Sequence, residues 1–116
     1  MKMSYRIDRS FPKTVRTRLE DFIESRFEKH SSFVNHISAT VVDTNGPRGG
    51  VSMRCRLIIR TINASPVVIE ETADDIGKAI GRAVERADHA VSRERNHYVA
   101  KRKRRQRREI LEPVLN

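Results

Sequence analysis

Met53-Arg54-Cys55-Arg56-Leu57-Ile58-Ile59-Arg60 alternates apolar and basic side chains. Successive side chains on a β-strand point to opposite faces, so Met53, Cys55, Leu57 and Ile59 share one side and Arg54, Arg56 and Arg60 the other. The stretch predicts a strand of a half-buried sheet, apolar on one face and largely basic on the other. Just upstream, Asn45-Gly46-Pro47-Arg48-Gly49-Gly50 gathers three glycines and a proline, which no strand or helix interior tolerates, and predicts a hairpin loop. Ile37, Ala39 and Val41 alternate with Ser38 and Thr40 before that loop and predict the partner strand. Downstream, Asn63-Ala64-Ser65-Pro66 turns the chain, and Val67 to Glu71 predicts a further strand.

Toward the N-terminus, Met3, Tyr5 and Ile7 alternate with polar residues and predict a short first strand. Ser10 and Pro12 mark a helix entry. Val15, Leu19, Phe22, Ile23 and Phe27 then follow at helical spacing, which predicts an amphipathic helix from about Pro12 to His30. Toward the C-terminus, Thr72 is placed to cap a last helix, with Asp74 and Asp75 in its first turn, where the macrodipole favours negative charge. From Ile76 through Ala79, Ile80, Ala83, Val84, Ala87, Ala90 and Val91 the apolar residues fall in an arc of about 140°, the width of a helix lying on a sheet. The order predicts an α+β fold, a β-α-β-β-β-α sandwich: one four-stranded, antiparallel-rich sheet with two helices packed on one face and the other face wet.

The 116 residues, 37% apolar and 34% charged, are material for one domain. A formal charge of +9 and a pI near 10.6 call for a polyanionic partner. Residues 1–91 carry +3 and residues 92–116 carry +6, so the expected organisation is a domain over 1–95 and a basic tail over 96–116. Seven cations in the eight positions from Lys101 to Arg108 repel one another, and such a segment is either solvated or a helix ordered by an anionic partner. No apolar run approaches the roughly 18 residues of a membrane span. The first residues lack the apolar core of a signal peptide, so a cytoplasmic protein is expected. Cys55, the single cysteine, excludes an internal disulfide and suits a reducing compartment.

On a helical projection with Ile76 at the origin, the apolar stripe centres near about 15°. Lys78, Arg82, Arg86, His89 and Arg93 cluster between roughly 200° and 280°. Their spacing puts successive head groups about 5 to 6 Å apart along the axis, close to the separation of phosphates on a single strand. Any surface helix has a solvated charged face, and that plainer reading carries even weight for this helix by itself. The direction of the stripe favours a binding role: it is expected to run free of local carboxylates except Asp75, through Arg95, toward Lys101, Arg102, Lys103, Arg104, Arg105, Arg107 and Arg108. The first helix is acidic outside, with Glu20, Asp21, Glu24 and Glu28 opposite its apolar stripe. A one-sided surface for nucleic acid is therefore expected, made of the last helix, the tail and Arg48 of the hairpin loop.

Catalytic chemistry is not indicated. His30, His36, His89 and His97 show no metal-ligand spacing. The glycine loop lacks the Lys-Ser/Thr ending of a phosphate cradle. Neighbouring residues such as Glu70 and Glu71 on a strand point apart. Cys55 is expected in the core. No cofactor or metal is predicted.

The residues from Asp43-Thr44-Asn45-Gly46-Pro47-Arg48-Gly49-Gly50-Val51 through Arg54-Cys55-Arg56-Leu57, then Pro66-Val67-Val68-Ile69-Glu70 and Ala79-Ile80 with Arg86, resemble the ribosome hibernation promoting factor family. Its members are also called ribosome-associated inhibitors or sigma-54 modulation proteins. The resemblance spans roughly Tyr5 to Arg95 and implies the same β-α-β-β-β-α fold. It implies a translation inhibitor that binds 16S rRNA in the cleft between head and body of the small ribosomal subunit, blocking mRNA and tRNA sites in stressed cells. The family's basic positions on the last helix fall on Arg86, Arg93 and Arg95. A frequent arginine is His89 here, and the usual aromatic near the helix start is Gly77. By the same resemblance the chain is a short form, lacking a dimerisation domain, and is expected to be monomeric off the ribosome. A double-stranded-RNA-binding module is the alternative, against which stands Asp74-Asp75 where that module needs lysines. A metal-dependent ribonuclease using Glu70, Glu71, Asp74 and Asp75 and a transcription regulator acting through protein contacts rank lower.

Overall fold

The computed structural model describes residues 1–44, 52–63 and 65–115, with side chains up to residue 108. In chain order they form β1 (Lys2–Ile7), α1 (Lys13–Phe27) ending in a 3-10 turn at Glu28–His30, β2 (Val34–Asp43), β3 (Met53–Thr61), β4 (Val67–Ala73) and α2 (Ile76–Leu115). The strands make one sheet in the order β1-β2-β3-β4, with β1 parallel to β2 and the other neighbours antiparallel. This is the predicted β-α-β-β-β-α sandwich. The parallel pair follows from the connection, because α1 carries the chain back across the sheet between β1 and β2.

Pairing register decides which side chains face the helices. Tyr5, Ala39, Leu57 and Ile69 lie in one row across all four strands, and the rows beside it bring Ile37, Val41, Cys55 and Ile59 to the same side. These β2 and β3 residues are fully buried, and against them pack Leu19, Ile23 and Phe27 of α1 and Ala79, Ala83, Val84, Ala87 and Val91 of α2. The alanines let α2 approach β3 and β4 closely. Cys55 is buried as expected, and burial pushes its thiol up to about 12. α1 lies over the β1 side: burial and the carboxylates of Glu24 and Glu20 push the Tyr5 hydroxyl up to about 12.

The entry to α2 differs from expectation. Thr72 belongs to β4, opposite Arg54, and does not cap the helix. Asp75 does: its Oδ2 accepts the backbone N–H of Lys78 at 3.1 Å, satisfying one of the donors left over in a first turn. A Cβ added at Gly77 would lie 3.0 Å from that same oxygen, so glycine keeps the cap uncrowded.

α2 does not stop where its apolar stripe stops. It runs on as one helix across the expected boundary at 95/96 to Leu115, and the molecule measures 71 × 25 × 17 Å. Among the described side chains of α2, Tyr98 is the last packed on the core, its ring 5.8 Å from that of Phe33. The hairpin loop, including Arg48, lies outside the described residues, although Asp43 opposite Met53 places β2 and β3 as a hairpin around it.

Candidate nucleic-acid interface

The outer side of α2 carries the candidate residues. Lys78, Arg82, Arg86, His89 and Arg93 are all exposed, as are the seven cations from Lys101 to Arg108. From Lys78 to Arg108 the axis spans about 45 Å. Because one helix carries both segments, the line from Arg82 to Arg93 continues at helical spacing through Arg104 and Arg107, with no change of direction at the expected boundary. The ridge is held rigid at its base by the buried alanines and by Tyr98.

The cations are not equivalent. Among the described residues Arg82 and Arg93 make no ion pair. Lys78 sits 3.5 Å from Asp74, both largely exposed, an i,i+4 pair of little strength. Arg86 is engaged more firmly: its NH1 lies 2.7 Å from Glu71 Oε1 and donates also toward the Glu70 carbonyl at 3.4 Å. The expectation that only Asp75 offsets the stripe is thus corrected. Asp75 spends its carboxylate on the cap, and the neutralising groups are Asp74 and, from β4, Glu71. Arg95 does not continue the ridge either. It turns toward the 3-10 turn, donating to the Lys29 carbonyl at 2.9 Å and lying 3.4 Å from His30 Nδ1.

That contact belongs to a cluster the sequence reading missed. His30 is 1% exposed, and its Nε2 lies 2.8 Å from Oδ1 of Asp88, itself 6% exposed. Lys29 reaches the other oxygen at 3.1 Å and Arg26 approaches it at 3.7 Å. Burial pushes the Asp88 carboxyl up, but the hydrogen bonds and charges of His30 and Lys29 outweigh that and hold it below its ordinary value. The cluster ties the end of α1 to the middle of α2 and so orients the ridge relative to the sheet. The sequence held one signal for it: His30 stands three residues after Phe27, on the face of α1 that turns inward.

Glu70 and Glu71 point to opposite sides of β4, toward Arg54 and Arg86 respectively. Among the described residues no three of His, Cys, Asp and Glu come together as a metal site. No helix in the described residues is long and apolar enough to cross a membrane. What the arrangement offers is a continuous row of cations, suited to phosphates.

Residues 13–98 match the family described as sigma 54 modulation protein / S30EA ribosomal protein. The fold is shared with the N-terminal domain of Protein Y from Thermus thermophilus, at 22% identity and a TM-score of 0.60, over 80% of this chain and 98% of that one. It is shared also with a ribosomal subunit interface protein from Coxiella burnetii, at 9% identity and a TM-score of 0.61, over 83% of this chain and 99% of that one. No curated protein matches the sequence. With its family match covering most of the chain, this chain belongs to the sigma 54 modulation protein / S30EA family of ribosome-associated modulators.

Proposed function

We propose that this protein is a hibernation factor that binds 16S rRNA in the decoding cleft of the small ribosomal subunit and sterically blocks the mRNA and tRNA sites. The observation that carries the reading is the ridge of α2, a single continuous helix whose exposed cations run from Lys78 to Arg108. Cations on such a row displace condensed counterions from rRNA phosphates, and the folded body then fills space that a tRNA needs. No bond is made or broken. Off the ribosome the protein is a cytoplasmic monomer.

Arg82 and Arg93 carry most of the test, because no carboxylate among the described residues holds them. Arg82→Glu with Arg93→Glu is expected to weaken binding to purified 30S subunits by about a hundredfold at moderate salt, read as loss of co-sedimentation on sucrose gradients. Unchanged co-sedimentation overturns the reading. A gel shift with a plain RNA duplex separates it from a double-stranded-RNA module: the duplex should bind far more weakly than 30S subunits, since Asp74 and Asp75 sit at the start of α2, where that module places lysines.

Arg86 should behave differently. Glu71→Gln frees it from its partner at 2.7 Å. An exposed pair of this kind is worth about 0.2–1 kcal/mol, so the variant should bind 30S subunits up to about fivefold more tightly. Filter binding against the wild type measures this, and unchanged binding would place Arg86 outside the contact.

A further inference from the structure

The sheet has a second side. Opposite the helices, the register brings Lys2, Arg6, Arg54, Arg56 and Arg60 onto one open face, where Glu70 is the sole carboxylate among the described strand residues. Arg54 is 3.5 Å from Glu70, both about half exposed. Arg6, Arg56 and Arg60 make no ion pair among the described residues. At the centre of the face lie Ile58 and the half-exposed Val68, beside Ser4 and Ser38 in the same row. A depression of about 510 Å³ opens there, whose lining includes Ser4, Arg6, Arg54, Arg56 and Ile58 together with Glu70.

From this placement we infer that the open face of the sheet is a second RNA-binding surface, which takes a single-stranded segment while α2 holds a different one. Three features fit that occupant. Cations two residues apart on β3 stand about 6.8 Å apart, near the step between phosphates of an extended strand. Ile58 and Val68 supply an apolar platform for a base, and the hydroxyls of Ser4, Ser38 and Thr40 supply donors and acceptors for base edges. An acidic peptide would use the cations but leave the platform empty. The face lies across the sheet from α2, so the two surfaces cannot be served by one straight duplex. The inference does not depend on where α2 binds on the ribosome.

The experiment is fluorescence anisotropy of a labelled oligouridine of about 20 nucleotides against the full chain over a salt series. Arg54→Gln, Arg56→Gln and Arg60→Gln together should lower the slope of log affinity against log salt by about 2 and cut affinity ten- to a hundredfold at 100 mM salt. Lys13→Gln, Arg16→Gln and Arg18→Gln, which remove the same charge from α1, should leave affinity within about threefold of wild type. Val68→Lys adds a cation to the face and should steepen the slope, which keeps the test informative if the triple variant folds poorly. Equal losses from both triple variants, or displacement of the RNA by polyglutamate of matched charge, would falsify the inference. Running Arg82→Glu with Arg93→Glu in the same assay distinguishes failure of this face from failure of the ridge.

Discussion

Raising monovalent salt from 50 to 200 mM is expected to weaken binding to the small subunit by about 10³ to 10⁵, the loss that follows when some six to ten phosphates are neutralised by side-chain cations. α2 has the means. Its exposed outer cations include Lys78, Arg82, Arg86 and Arg93, followed by the seven from Lys101 to Arg108, and they cannot all meet phosphates at once because the last seven surround the helix. About eight contacts are therefore reasonable for one side of the ridge and its end. α1 and its 3-10 turn contribute little to the slope, because Glu20, Asp21, Glu24 and Glu28 nearly balance Lys13, Arg16, Arg18, Arg26 and Lys29; the outside of α1 is mixed in charge, not acidic as expected. Filter binding to purified 30S subunits across the salt range measures the effect. A loss below tenfold would mean that shape and apolar contact dominate, and the electrostatic mechanism would fail with it. A chain ending at residue 98 keeps the packed part of α2 and should show a much shallower slope.

The sheet was legible because its signal is local. Period-two alternation at Met53 to Arg60 names both faces of β3 without any knowledge of its neighbours, and antiparallel register then propagates that choice to β2 and β4. The length of α2 was legible too, in a form that charge counting obscured. No glycine or proline occurs from Arg82 to Glu112, and lysine and arginine are good helix formers, so a helix begun on the core had nothing to end it. Repulsion among the tail cations is weaker than that continuity. Arg95 was also readable, since a helical projection sets it about 160° from Arg93. What the sequence could not yield were the pairings made through the fold. Glu71 meets Arg86 from β4 across 15 residues, and Asp88 meets His30 across 58. Such contacts depend on how the helices sit on the sheet. Thr72 was misread for a related reason: β4 continues two residues past Glu71, which moves the helix start to Asp75.

Replacing Asp88 with alanine should destabilise the fold by about 3 kcal/mol, a large share of the 5 to 15 typical of a domain this size. An ionised carboxylate only accepts, so Asp88 takes the Nε2–H of His30 at 2.8 Å, while Arg95 lies 3.4 Å from Nδ1 on the other side of the ring. Without Asp88 that buried N–H has lost its 2.8 Å acceptor, and Lys29, Arg26 and Arg95 face one another without the carboxylate between them. The exposed ends of Lys29 and Arg26 let water recover part of the loss, which puts the cost at the low end for a broken buried pair. Asp88→Asn keeps an oxygen for His30 but drops the charge, and should cost roughly half as much. The pH dependence has a definite sign. Asp88 titrates below its ordinary value in the folded protein, so its stabilisation is complete above that ordinary value and fades as pH falls through the folded one. Wild type should therefore lose stability on acidification in a range where Asp88→Ala loses less. Urea denaturation of both proteins from neutral pH down to about pH 3 measures this. Parallel curves, or a variant within about 0.5 kcal/mol of wild type, would show that packing alone fixes α1 against α2.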